Sequence, residues 1–116
     1  MRRARLLFPA LLGLLAAMLG FVAAAPLPPG TSTPPKVAVS IENYAFQPDP
    51  ITITAGTTVV WTNRDEVTHT VVSAGKLFAS PELETNHSYE FTFHKAGTFP
   101  YSCTLHPEMK GKVIVK

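Results

Sequence analysis

From residue 37 onward the chain alternates apolar and polar positions with a period of two. Val37, Val39 and Ile41 alternate with Ala38 and Ser40, which is the pattern of a half-buried strand. Residues 44–50 are broken by Pro48 and Pro50 and suit an irregular or edge connection. Ile51 and Ile53 restart the alternation, Ala55-Gly56 turns the chain, and residues 58–62 (TVVWT) read as a strong strand. Residues 70–73 are short and β-branched, while Tyr89, Phe91 and Phe93 place three aromatics on one face of a further strand. Ala96-Gly97 turns the chain into a strand at 98–103, and residues 113–115 close the series. Only residues 79–86 offer a helical turn, and Pro81 limits it. Short strands punctuated by turns in a single small domain predict an all-β fold, a small antiparallel β-sandwich or barrel.

That domain starts near Lys36. Before it, residues 26–35 (PLPPGTSTPP) hold five prolines in ten positions and read as an extended spacer. Further upstream, Arg2, Arg3 and Arg5 precede an almost wholly apolar stretch at 6–22, followed by Ala23, Ala24 and Ala25. This is the layout of a secretory signal with small residues at the cleavage site. We expect residues 1–24 to be a signal peptide cut after Ala24, with an uncleaved membrane anchor as the alternative. Residues 25–35 would then be a Pro-rich linker and residues 36–116 the working domain. In either case the folded part is exported: periplasmic, or tethered to the outer face of the cytoplasmic membrane if the leader is retained.

Charge changes meaning once the chain is divided. The whole sequence carries +2, but from Pro26 onward there are seven Lys/Arg against eight Asp/Glu. The domain is close to neutral, so nucleic acid is not an expected partner. The 116 residues leave room for one domain, and the one cysteine excludes an intrachain disulfide or a Cys-rich zinc finger. An unpaired thiol in an exported protein is a liability unless it is buried, paired with a partner or held by a metal.

The candidate chemistry lies in residues 101–109 (YSCTLHPEM). Cys103, His106 and Met109 offer a thiolate, an imidazole and a thioether at Cys-x2-His-x2-Met spacing just after a predicted strand. One Cys and two His with a weak axial Met form the ligand set of blue-copper electron transfer. His69 is the best candidate for the second imidazole. It follows the polar turn Asn63-Arg64-Asp65-Glu66 and precedes a β-branched stretch.

At these residues the chain resembles the cupredoxins, and among them the amicyanin branch, with pseudoazurin and plastocyanin as wider relatives. The resemblance runs from about Val37 to Lys116. It is carried by Phe46-Gln47-Pro48, Gly56, Val60-Trp61-Thr62-Asn63, His69, Ala96-Gly97-Thr98, Tyr101-Ser102-Cys103-Thr104, His106-Pro107, Met109 and Gly111-Lys112-Val113. It implies a Greek-key sandwich holding one type 1 copper through His69, Cys103, His106 and Met109. It also implies single-electron shuttling by a monomer rather than enzymatic turnover. The implied partners are a c-type cytochrome and a dehydrogenase or oxidase, docking near His106. Two positions depart from the pattern. Thr70 stands where the family often has Asn bonding across to the residue after the ligand Cys, here Thr104, so the usual side-chain tie lacks its usual donor. Glu108 stands where a bulky apolar residue is more usual.

Each of these residues also has an ordinary reading. A lone Cys103 would be a small buried hydrophobe, Met109 a gap-filler and His106 an exposed loop histidine. Their joint spacing outweighs those readings. His87 and His94 read as solvated strand ends, Trp61 and the aromatic row as core, Glu82 and Glu84 as a solvated loop face, and Asp65 and Glu66 as turn residues. Copper scavenging or delivery without electron transfer is the competing function. A multicopper enzyme lacks further ligands, and structural zinc would leave the thioether without a role.

Overall fold

The structure is a computed structural model, and it describes Gly20 and residues 33–116. The expected signal peptide or anchor, and most of the Pro-rich linker, lie outside the described residues. Eight strands follow: β1 (Lys36–Glu42), β2 (Ala45–Gln47), β3 (Ile51–Ile53), β4 (Thr57–Asn63), β5 (Val72–Ser73), β6 (Ser88–Phe93), β7 (Gly97–Ser102) and β8 (Lys110–Val115). They form two four-stranded sheets, ordered β2-β1-β4-β6 and β3-β8-β7-β5. The all-β sandwich expected from the alternation is therefore what the chain adopts.

The sandwich is not antiparallel throughout. β1 pairs parallel to β4, from Lys36 opposite Thr58 to Ile41 opposite Asn63, and β3 pairs parallel to β8. The cause lies in the connection at residues 48–50. β2 runs back from the hairpin beside β1, but Pro48 and Pro50 have no N–H to extend that ladder, and the chain crosses to the other sheet as β3. The next rising strand, β4, then takes the free side of β1 in the same direction.

Two poles result. At one, Pro35, Gly56, Phe93 and Lys116 are joined by backbone hydrogen bonds: Gly56 N–H to the Phe93 carbonyl, Thr58 N–H to the Pro35 carbonyl, and Ala55 N–H to the Lys116 carbonyl. At the other lie the β1–β2 hairpin tip, the end of β4 and the connection from β7 to β8. The stretch at 79–86 is not helical. Residues 79–83 lie extended beside His69, with His69 N–H donating to the Leu83 carbonyl and Leu83 N–H to that of His69, and His87 N–H then closes a turn on the Glu84 carbonyl.

Between the sheets, Val39, Ile41, Val59, Trp61, Phe93, Tyr101, Val113 and Val115 are buried. Trp61 packs against Tyr101 at 5.4 Å between ring centroids and against Phe78 at 5.5 Å, joining the two layers. Burial pushes the Tyr101 hydroxyl up to about 12, so it stays protonated at neutral pH. Its ring passes beneath Gly111, opposite it in the β7–β8 ladder. A Cβ at Gly111 would overlap Tyr101 Cζ and Oη and lie 2.7 Å from Cε2. We expect Gly111→Ala to cost about 1–3 kcal/mol by overpacking. Calorimetry should show the midpoint falling by roughly 4–8 °C for each kcal/mol.

Candidate metal centre

Two separate segments meet at the hairpin pole. His69 ends the loop that leaves β4. Cys103 follows β7 directly and opens the loop that carries His106 and Met109 back to β8. That loop is closed on itself: Cys103 N–H donates to the Met109 carbonyl at 3.1 Å, and Met109 N–H donates to the His106 carbonyl at 2.9 Å. The Cys103 sulfur then lies 3.8 Å from His69 Nδ1 and 3.6 Å from His106 Nδ1. The three donor atoms all fall within 4.8 Å of one another. His69 and Cys103 are fully buried and His106 is half-buried. Met109 is buried at the end of the same loop and shares with His106 the lining of a groove of about 610 Å³. His87 and His94 are exposed and stand outside the cluster.

Two of the three donors have a partner that aims them. His69 Nε2 is 2.8 Å from the Asp65 carboxylate. Burial works to raise the Asp65 carboxyl, but the N–H of Tyr44, the His69 ring and the N–H of Asn43 outweigh it and hold it below its ordinary value. An ionised carboxylate only accepts, so His69 Nε2 carries the proton and Nδ1 turns its lone pair toward the sulfur. The Thr70 N–H donates to the Cys103 sulfur at 3.3 Å and so fixes its direction.

The tie between the two ligand segments, which the sequence left without its usual donor, is made. Thr104 N–H donates to Thr70 Oγ1 at 2.8 Å, and the two hydroxyl oxygens lie 2.8 Å apart. A threonine hydroxyl both donates and accepts, so it can replace an amide here. Asp65, read from sequence as a turn residue, is the larger omission. Its only sequence signal was a carboxylate four positions before the candidate histidine.

A cupredoxin-like domain model matches residues 11–115 of this sequence. The chain belongs to the cupredoxin-like family. Within that family its likeness is to amicyanin. Amicyanin-alpha of Methylorubrum extorquens is 39% identical over 83 residues, covering 67% of this chain and 70% of the relative. Among solved structures, the Cu(I) form of a methionine-to-alanine amicyanin variant superposes with a TM-score of 0.67 at 34% identity, covering 70% of this chain and 82% of that one. An oxidized proline-to-alanine amicyanin variant gives a TM-score of 0.67 at 32% identity, covering 70% and 82%.

The donor set of this cupredoxin fits copper on its own chemistry. One thiolate and two imidazole nitrogens, with a methionine on the same loop, combine soft and borderline ligands that suit copper in both oxidation states. Among the described residues no carboxylate joins the cluster of three, which disfavours magnesium or calcium.

The Thr70–Thr104 tie can be tested without metal. Thr70→Val keeps the volume but leaves the Thr104 N–H without its acceptor. Denaturant unfolding of the apo-protein should show a loss of about 1–2 kcal/mol. Thr70→Ser, which keeps the oxygen, should recover most of it.

Proposed function

We propose that this cupredoxin is an exported type 1 (blue) copper protein that shuttles single electrons between redox partners. The observation that carries the reading is the convergence of His69 Nδ1, Cys103 Sγ and His106 Nδ1 within 4.8 Å in a chain of this family. In the proposal these three would hold the metal, with Met109 supplying a fourth, weaker thioether ligand. Bound copper supplies a one-electron Cu(I)/Cu(II) couple. The relatives described in reduced and oxidized forms support such cycling.

The protein's part is to hold its donors still while the charge changes. Asp65 fixes the His69 ring, Thr70 N–H bonds the Cys103 sulfur, and the Thr70–Thr104 pair locks the two segments together. A site so constrained rearranges little between redox states. Core burial of Cys103 keeps water from the sulfur. His106 borders the surface groove with Tyr44, Leu105, Pro107 and Glu108, so its ring is the route by which an electron leaves. Tyr44 and Leu105 are exposed apolar side chains on that rim.

We assign docking of redox partners to this rim, with a c-type cytochrome and a dehydrogenase or oxidase as the expected classes. Glu108 adds a carboxylate that would favour a basic residue on the partner. The basic and apolar leader at 1–24 supports export to the periplasm, and the chain would act as a monomeric carrier rather than an enzyme.

The optical spectrum of the copper-loaded protein tests the reading. An intense blue charge-transfer band should appear with Cu(II), bleach on reduction, and be absent in Cys103→Ser. A colourless protein that holds zinc as firmly as copper would overturn the assignment.

A further inference from the structure

The tip of the β1–β2 hairpin has an unusual backbone. Glu42 pairs with Ala45, leaving a two-residue loop of Asn43 and Tyr44, both in the left-handed region at φ 53° and 57°. Such a loop matches the twist of a hairpin, but its second position is normally glycine. Asparagine tolerates the left-handed region; a bulky tyrosine there is strained. The strain is held by one group. Asn43 N–H and Tyr44 N–H both donate to the Asp65 carboxylate, at 2.7 and 2.9 Å. That carboxylate also orients His69.

Core packing does not explain the tyrosine, because its side chain is 51% exposed. What the strained backbone achieves is the placement of the ring. It sits 5.0 Å from the His106 ring at 90° and 5.4 Å from the His69 ring at 89°. The two imidazoles are supported unequally. His69 has a carboxylate on Nε2, whereas among the described residues the His106 ring has a hydrogen-bond contact only with the Cys103 sulfur. His106 also lies on the more exposed loop.

We infer that Tyr44 is a positioning residue for His106. Its ring, clamped through Asp65, limits rotation of the His106 imidazole and keeps Nδ1 turned toward the Cys103 sulfur. This rests on the copper reading above. The contact uses the ring and not the phenol, so phenylalanine should serve equally well. Glycine would remove the ring while relieving the backbone. Position 44 therefore allows retention of the metal to be separated from stability of the fold.

The test loads the full chain with copper, reduces it, and follows loss of Cu(I) to excess bathocuproine disulfonate. Thermal midpoints of the apo forms are measured alongside. Tyr44→Gly should release Cu(I) about tenfold faster than the parent, with an apo midpoint equal to or above the parent's. Tyr44→Phe should release at the parent rate. Release from Tyr44→Gly at the parent rate would overturn the role. A faster release accompanied by a lowered apo midpoint would also overturn it, because the tyrosine would then act only through the fold. A parent protein that binds no copper and shows no blue band would instead refute the copper reading, and the positioning role with it.

Discussion

The Asp65 carboxylate accepts hydrogen bonds from groups that are distant in sequence: the N–H of Asn43, the N–H of Tyr44 and the ring of His69. Its own backbone is held as firmly, with its N–H on Asn63 Oδ1 and its carbonyl accepting from Thr85 Oγ1. Asn63 in turn donates to the carbonyls of Val67, on the loop that leads to His69, and of Leu83, on the segment paired with His69. A partly buried anion with several donors is stable where it sits and expensive to remove, since each donor would be left unpaired. The hairpin, the loop after β4 and the first imidazole thus share one anchor. The geometry of the metal pole follows from it.

The second half of the pole is built from the other sheet. The chain delivers His69 from the end of β4, and Cys103, His106 and Met109 from the connection between β7 and β8. Neither sheet alone presents a complete donor set. The sandwich core, with Trp61 packed on Tyr101, fixes the spacing of the layers, and the Thr70–Thr104 hydrogen bonds fix it again within reach of the donors. Coupling the site to both layers explains how a small fold can present a rigid ligand geometry on loops, the elements that are ordinarily the most mobile in a fold.

The sandwich, most strand positions and the spacing of Cys103, His106 and Met109 were legible because they are local. Alternation with period two reports burial on one face, and a short loop brings its own residues together whatever the rest does. His69 was legible through its setting and family resemblance. The parallel pairings were not, because the choice of β4 as the neighbour of β1 depends on the crossing at Pro48 and Pro50 rather than on either strand. The extended course of residues 79–83 was hidden for the same reason: Leu83 pairs with His69, far back in the chain. Asp65 resembled any turn aspartate, since its worth lies in what folding brings to it. Tyr44 was masked by a hairpin that uses tyrosine where glycine would have announced the turn.

The direction of β1 has a consequence for how the molecule can be held. The strand begins at Lys36, beside the Pro35 carbonyl that accepts from Thr58, and it ends against the hairpin whose tip packs on His69 and His106. At about 3.3 Å per residue, its seven residues carry the chain roughly 20 Å from one end of the sandwich to the other. Whatever precedes Pro35 is therefore attached at the end farthest from the imidazoles. The groove at His106 thus opens at the opposite end of the described domain from Pro35, so a partner seated there meets the imidazoles without touching the chain's entry into β1.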